Sequence, residues 1–176
     1  MSEDKNWRIK LSVIEQYSGL AQQLGEAFFT DKLLPMCLTW MNDPVYSIRV
    51  ASLTNMKELT KLFGPAWCEK NMLKRLLELR NETNYLYRLT VLFGLSELTE
   101  VVDSGVIKKN FIPVLQELTS DKVPNIRLNV AKTVSKIRME HSDNAIEAEL
   151  LQILNKLKAD DDEDVKFYTK KAIIAK

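Results

Sequence analysis

The stretch DPVYSIR, at residues 43–49, is one of five versions of a single pattern in which a base follows an acidic residue by six positions. The other four are DKNWRIK (4–10), ETNYLYR (82–88), DKVPNIR (121–127) and DDDEDVK (160–166). Successive stretches start 39 residues apart. A constant spacing between about 20 and 50 residues is the sequence signature of a repeat architecture. The chain is therefore predicted to consist of copies of one structural unit.

The segment before each acidic residue repeats in the same register. KLLPMCLTWMND, NMLKRLLELRNE, NFIPVLQELTSD and ELLQILNKLKAD align without a gap, with apolar residues at positions i, i+1, i+4 and i+7. This spacing places the apolar side chains on one face of a helix. A longer apolar stripe at i, i+4 and i+7 follows each acidic residue, as in Val91, Leu95 and Leu98. Each unit is thus predicted to be a short helix, a tight turn at the acidic residue, and a longer helix.

Two helices per unit of this length are typical of a HEAT-type solenoid. We predict an all-α protein, a right-handed α-solenoid of HEAT repeats with a 39-residue period and about five repeats, the first incomplete. The predicted domain is a single solenoid over residues 4–176, with turns near residues 4, 43, 82, 121 and 160, after a short extension at 1–3.

The first long helix, near residues 7–24, has no short helix before it. We expect Ile9, Val13, Tyr17 and Leu20 to lack part of their cover. We interpret the chain as part of a longer solenoid, or as a protein that self-associates through this open N-terminal end.

Composition and motifs argue against several classes of protein. The 25 Lys and Arg against 24 Asp and Glu leave a net charge of +1, which offers no long-range field for nucleic acid or an anionic membrane. The start lacks a signal peptide, and no apolar run reaches the ~20 residues needed to span a bilayer. We expect a cytoplasmic protein, with the nucleus as a second compartment, and neither nucleic acid nor membrane as a partner.

Catalytic and metal-binding constellations are missing from the sequence. His141 is the single histidine, Cys37 and Cys68 are the only cysteines, and no glycine-rich phosphate loop is present. The acidic run at 160–164 occupies the register of the other turn acids and lacks EF-hand spacing, so we interpret it as a helix N-terminal cap. We predict no enzyme activity, no catalytic residue, no cofactor and no metal.

Three aromatic residues share one register, three positions after the turn acid: Trp7, Tyr46 and Tyr85. The same register holds Pro124 and Glu163 in the last two repeats. Rings at the first turn of a helix could pack neighbouring repeats together, or they could form a row of anchors for a protein partner. The pattern alone leaves both interpretations open.

A resemblance to a known family rests on particular strings. KNWRIKL, FFTDKLLPMCLTWMNDPVYSIRVAS, NYLYRLTVLFGLSEL and VPNIRLNVAK closely resemble the C-terminal HEAT repeats of the scaffold (A) subunit of the type 2A serine/threonine protein phosphatase. The resemblance runs from about Asp4 to about Ala172. It implies that these repeats, the last five of the family, hold the phosphatase catalytic subunit along the ridge of intra-repeat turns.

The resemblance also implies a set of partner-binding residues. These are Trp7, Arg8, Tyr46, Tyr85, Arg88, Val123, Pro124 and Asn125. The regulatory-subunit surface, which the family carries on earlier repeats, is expected to be missing. Pro124 and the acidic turn at 160–164 depart from the family pattern.

The function that follows is a non-catalytic scaffold segment that binds the type 2A phosphatase catalytic subunit. The alternative, which the repeat pattern alone would allow, is a generic HEAT-repeat adaptor of transport or coat machinery that binds peptide segments on its long helices.

Overall fold

The computed structural model describes residues 6–141 and 144–174, and every regular element within them is helical. The α-solenoid class predicted from the sequence is confirmed. The predicted extension at 1–3 and the first turn acid, Asp4, lie outside the described residues. The chain divides into two compact units, unit 1 over Met1–Leu79 and unit 2 over Arg80–Lys176.

Unit 1 alternates long and short helices. The long helices are α1 (Trp7–Leu24) and α4 (Tyr46–Phe63). The first short helix combines α2 (Glu26–Phe28), a π-helical turn (Phe29–Leu33) and α3 (Leu34–Trp40). The second combines α5 (Pro65–Cys68), a π-helical turn (Glu69–Leu73) and α6 (Lys74–Glu78).

Unit 2 repeats this alternation, and a 3-10 turn at Leu79–Asn81 precedes its first long helix in the chain. The long helices are α7 (Tyr85–Leu98), α10 (Pro124–Glu140) and α12 (Glu163–Ile174). Between them lie a short helix of α8 (Ser104–Val106), a π-helical turn (Ile107–Phe111) and α9 (Ile112–Leu118), and then α11 (Asn144–Leu157). No helix in the described ranges is both long and apolar enough to cross a membrane.

The predicted apolar stripes form the core of each unit. In the short helices, Cys37 and Trp40 of unit 1 and their counterparts 39 and 78 residues later are buried. In the long helices, Met56, Leu95 and Val134 are fully buried. Burial of a large aliphatic side chain contributes about 1.5–3 kcal/mol, so this shared register is the main source of stability in each stack of helices.

The start of the first long helix is exposed only in part. Ile9 and Leu20 are 39% and 40% exposed, as expected for a helix covered on one side. The expectation for Tyr17 was wrong, because its ring is buried against Trp40, with ring centroids 4.6 Å apart, and lies edge-on to Phe29. Val13 is half-buried. The short helix that follows α1 therefore covers the Tyr17 part of this face.

Both cysteines lie in the core of unit 1 as free thiols. Burial raises the pKa of Cys37 to about 12 and that of Cys68 to about 11. Both thiols are therefore protonated at neutral pH, and thiolate is the nucleophilic form of cysteine.

Candidate partner-binding turns

The predicted site residues lie at the turns that lead into the long helices, and one feature of these turns is shared by both units. The base of one repeat reaches the acid of the next repeat, 33 residues later. Lys10 Nζ lies 2.7 Å from Asp43 in unit 1. In unit 2, Arg88 Nε lies 2.6 Å from Asp121, and Arg127 Nε lies 2.6 Å from Asp160. An ion pair therefore joins successive repeats at each of these three steps.

The first turn in unit 1 presents Trp7 and Arg8 together. Asn6 caps α1, since its side-chain oxygen accepts a hydrogen bond from the Arg8 backbone N–H at 3.1 Å. Trp7 is half-buried and Arg8 is exposed. The Arg8 guanidinium lies 4.5 Å from the centre of the Trp7 ring, within the range of a cation–π contact. The two side chains therefore form a single surface feature.

The second turn in unit 1 presents Tyr46, whose side chain is 56% exposed. The Asp43 carboxylate accepts a hydrogen bond from the Val45 N–H at 2.8 Å. The buried Arg49 guanidinium donates to the carbonyl oxygens of Asp43 and Pro44 at 2.9 and 3.1 Å. These bonds satisfy turn carbonyls that would otherwise need water, so the backbone beneath Tyr46 is held in place.

The first turn of unit 2 presents Tyr85, which is 39% exposed. Asn84 caps α7 by accepting from the Leu86 N–H at 3.1 Å. Leu86 is itself 37% exposed, and sequence reasoning missed it. The sequence did offer a signal, because Leu86 is apolar but lies outside the apolar stripe of its helix. The equivalent positions in two other repeats hold the polar residues Arg8 and Asn125.

Arg88 is a buried residue of the same turn. It is only 7% exposed, and Nη1 donates to the Glu82 and Thr83 carbonyls at 2.8 and 3.0 Å. Nε and Nη2 donate to the two Asp121 carboxylate oxygens at 2.6 and 2.9 Å. These bonds engage all three guanidinium nitrogens within unit 2, so Arg88 stabilises the turn.

The turn at residue 121 exposes no ring. Val123 is half-buried and donates its N–H to Asp121 at 2.8 Å. Pro124 is the first residue of α10, where proline needs no hydrogen-bond partner for its nitrogen. Pro124 and Asn125 are exposed, and the Asn125 oxygens accept from the Asn129 amide. These three residues are accessible but smaller than the anchors of the other turns.

The turn at residue 160 is held by its own acidic residues. Asp160 accepts from the Asp162 N–H at 2.9 Å, and Asp162 caps α12 by accepting from the N–H groups of Asp164 and Val165. The interpretation of this acidic run as a helix cap is confirmed. Within the described ranges, no group of three or more His, Cys, Asp or Glu residues could hold a metal ion.

The arginine contacts shift the acid–base properties of unit 2. Burial alone would raise the pKa of Asp121, but hydrogen bonds from Arg88 and the Val123 N–H outweigh it and hold the pKa below its ordinary value. The pKa of Asp160 is lowered chiefly by its hydrogen bond from Arg127. Both carboxylates are therefore ionised in the folded chain down to lower pH than free carboxylates are.

Comparison with known proteins supports the repeat class. The HEAT repeat family matches residues 33–63, the segment that holds α3, the turn at residue 43 and α4. Among curated protein sequences, none matches the chain.

Similar solved structures are other helical repeat proteins. A designed armadillo repeat protein in complex with the peptide (KR)4 superposes with a TM-score of 0.61 at 16% identity, over 98% of this chain and 77% of that one. Computationally designed armadillo repeat proteins for modular peptide recognition give a TM-score of 0.58 at 17% identity, over 98% of this chain and 78% of that one. At these identities the similarity is one of fold.

Proposed function

We propose that the chain is a non-catalytic scaffold segment that binds the catalytic subunit of the type 2A protein phosphatase through its intra-repeat turns. We define the turn ridge of unit 1 as Trp7, Arg8 and Tyr46. The turn ridge of unit 2 consists of Tyr85, Leu86, Val123, Pro124 and Asn125. The observation that carries the proposal is the exposure of Tyr46 and Tyr85, 56% and 39%, on turns whose backbones are held by buried arginines.

Exposed rings on a fixed backbone suit a partner-binding role for a physical reason. Tyrosine and tryptophan offer a large contact area with few rotatable bonds, and they are enriched among residues that dominate binding energy. Because the turn is already ordered, docking costs less conformational entropy than it would on a mobile loop. The exposed part of each ring is surface that packing within its unit leaves accessible to a partner.

We propose a supporting role for one member of the implied binding set. Arg88 has its donors engaged by Asp121 and by the carbonyls of its own turn, so we assign it to the support of Tyr85. Arg8 remains in the ridge, since its side chain is exposed beside Trp7. We place this activity in the cytoplasm and the nucleus.

The direct test is calorimetric titration of the purified chain with the isolated phosphatase catalytic subunit. If these rings are anchors, Trp7→Ala and Tyr85→Ala should each weaken binding by roughly thirtyfold, about 2 kcal/mol. Phe28→Ala is the control, because Phe28 is an exposed ring, at 49%, that follows the carboxyl end of α1 and lies outside the turns. No binding by a folded wild-type chain would refute the proposal.

The peptide-binding adaptor is the second candidate. It draws on the fold shared with designed repeat proteins that are described as recognising peptides. In that case, charge changes on the long helices should weaken binding more than the loss of Trp7 or Tyr85. A peptide-library screen with the wild-type chain and the Tyr85→Ala variant separates the two candidates.

A further inference from the structure

One side of α1 in unit 1 carries a row of exposed apolar residues. Ile9, Leu20 and Leu24 are 39%, 40% and 44% exposed. Val13 is half-buried and Gln16 is exposed between them. These five residues follow one another at intervals of three or four, which places them on one side of the helix. We call this surface, residues 9, 13, 16, 20 and 24, the exposed face of α1.

The equivalent face of α4 packs against another helix. Ile48 and Leu59 lie 39 residues after the first and fourth members of the exposed face, and both are fully buried. Asn55, on the same face of α4, has its Nδ2 atom 3.9 Å from Cys37 Sγ in α3. In this repeat the face is therefore a surface onto which a helix packs, and in α1 it remains exposed to solvent.

The exposed face of α1 carries no charge. Between residues 11 and 24 the sequence has one charged residue, Glu15. Glu15 points away from this face and lines the groove between α1 and α4. A face that meets a copy of itself brings like charges together, and buried charges are costly to desolvate. An uncharged face avoids both costs, so its charge pattern is compatible with self-association.

The order of residues on the face is self-complementary. In a two-fold pair, a residue i that contacts j of the second copy is matched by j contacting i. If the two helices are antiparallel and the axis passes beside Gln16, Ile9 lies opposite Leu24 and Val13 lies opposite Leu20. This match arises because the members of each pair lie at nearly equal distances from Gln16 along the chain. The two Gln16 amides then meet, and each offers both a donor and an acceptor.

The size of the face sets the strength of such a contact. With 18 residues at about 1.5 Å per residue, α1 is about 27 Å long. A helix with its side chains is about 10 Å across, so the face has a footprint of roughly 270 Å². Stable interfaces bury about 600 Å² or more on each partner, so this contact is a small one. We therefore expect a weak dimer, with a Kd of about 10–100 µM.

We infer that two copies of the chain associate through the exposed face of α1, antiparallel and related by a two-fold axis beside Gln16. This self-association goes beyond the proposed function and requires neither the phosphatase nor a peptide partner.

The first test is sedimentation of the purified full chain from about 5 to about 500 µM, which should show a monomer–dimer equilibrium. Leu20→Glu should weaken the dimer by about tenfold or more, because it buries a carboxylate in an apolar contact. Gln22→Glu is the matched control. It adds the same charge to α1 about 200° further around the helix, and it should leave the equilibrium unchanged. Circular dichroism establishes that both variants are folded.

The second test examines the two-fold arrangement by disulfide formation. The native Cys37 and Cys68 are each 1% exposed, so they are not available for cross-linking in the folded chain. Gln16→Cys places a thiol beside the proposed axis, where two Cα atoms come within about 7 Å of each other. Mild oxidation should convert this variant to a covalent dimer. Glu15→Cys, one residue away but outside the face, should give little covalent dimer.

Four results would overturn the inference. They are a folded wild-type chain that stays monomeric at about 500 µM, undiminished association of Leu20→Glu, assemblies larger than a dimer, and equal cross-linking of Gln16→Cys and Glu15→Cys. The first of these results would leave the face to a helix of another protein. The third would indicate contact between two different surfaces of the chain.

Discussion

Unit 1 and unit 2 use the same turn but hold it with different contacts. In unit 1, Lys10 meets Asp43 through one ammonium contact of 2.7 Å. In unit 2, Arg88 and Arg127 each meet the next aspartate through two bonds, of 2.6 and 2.8–2.9 Å. A guanidinium matches a carboxylate in two places, whereas an ammonium acts as a point charge. The two inter-repeat ion pairs within unit 2 are therefore stronger than the Lys10–Asp43 pair of unit 1.

The links between long and short helices differ as well. In unit 1, Gly25 and Gly64 join them with φ angles of 79° and 93°. In unit 2, Asp103 caps the next short helix by accepting from the Val106 N–H at 2.9 Å. The contrast indicates that the repeat needs a held turn and a change of chain direction, which different residues can supply. Exposed residues that neither hold the turn nor change the chain direction are available for function.

The largest expected effect is the loss of an arginine clamp. Arg88→Ala should lower the free energy of unfolding by about 3 kcal/mol or more, because Asp121 and two turn carbonyls lose their buried donors. Lys10→Ala should cost about 1 kcal/mol, since Lys10 is 21% exposed and makes a single contact with Asp43. Urea unfolding of both variants measures the difference. Equal losses would remove the distinction between the two units.

A second test concerns the glycine link of unit 1. Gly64→Ala should destabilise the chain by about 2 kcal/mol, because its backbone, with φ of 93° and ψ of 161°, lies in a region that is nearly restricted to glycine. Gly19→Ala is the control: it lies within α1 with open space around it and should stabilise the protein by about 1 kcal/mol. Thermal unfolding reports both changes, and a neutral Gly64→Ala would show that the link tolerates another conformation.

A third test sharpens the comparison through pH. The folded pKa of Asp121 is depressed, so the stability it contributes is present above the unfolded value of about 3.9 and is lost as the pH falls through the folded value. Asp121→Asn should therefore be less stable than wild type at pH 6, and the gap should narrow at pH 3. Urea unfolding at both values gives the comparison. A gap that is unchanged at pH 3 would show that the Arg88–Asp121 pair does not contribute as a charge pair.

The smallest expected effect on stability belongs to the exposed rings. Tyr46→Ala should change the free energy of unfolding by less than about 0.5 kcal/mol, because the ring is 56% exposed. The Arg49 guanidinium, 5.8 Å from the ring centre, keeps its bonds to the turn carbonyls in this variant. Circular dichroism during urea unfolding suffices for this measurement. A loss above about 1 kcal/mol would favour the packing interpretation of the ring over the anchor interpretation.

Much of the fold could be predicted from the sequence, because hydrophobic burial follows a period that is visible in the residues themselves. The stripes through Leu76, Leu79 and Leu95 are buried where their spacing places them. The π-helical turns at Phe29–Leu33, Glu69–Leu73 and Ile107–Phe111 were not predicted. They carry no distinct residue signature, since one extra residue per turn depends on how the helix meets its neighbours.

The candidate site was predictable only in part. Tyr46 and Tyr85 could be identified, because an aromatic residue at the first helical turn is unusual whatever surrounds it. Arg88 could not be distinguished from a partner-binding arginine by sequence, since its engagement requires Asp121, which is 33 residues away.

The sequence by itself determined the repeat length, the helical class and the register of the core, because local periodicity and hydrophobicity act within about 40 residues and need no knowledge of neighbours. Only the tertiary structure decided which basic side chains bond within the chain and which are exposed to solvent. Arg88 bonds to its own turn and to Asp121, whereas Arg8 is exposed beside Trp7. The physical reason is that the energy of a polar side chain depends on solvent access and on partners from distant repeats.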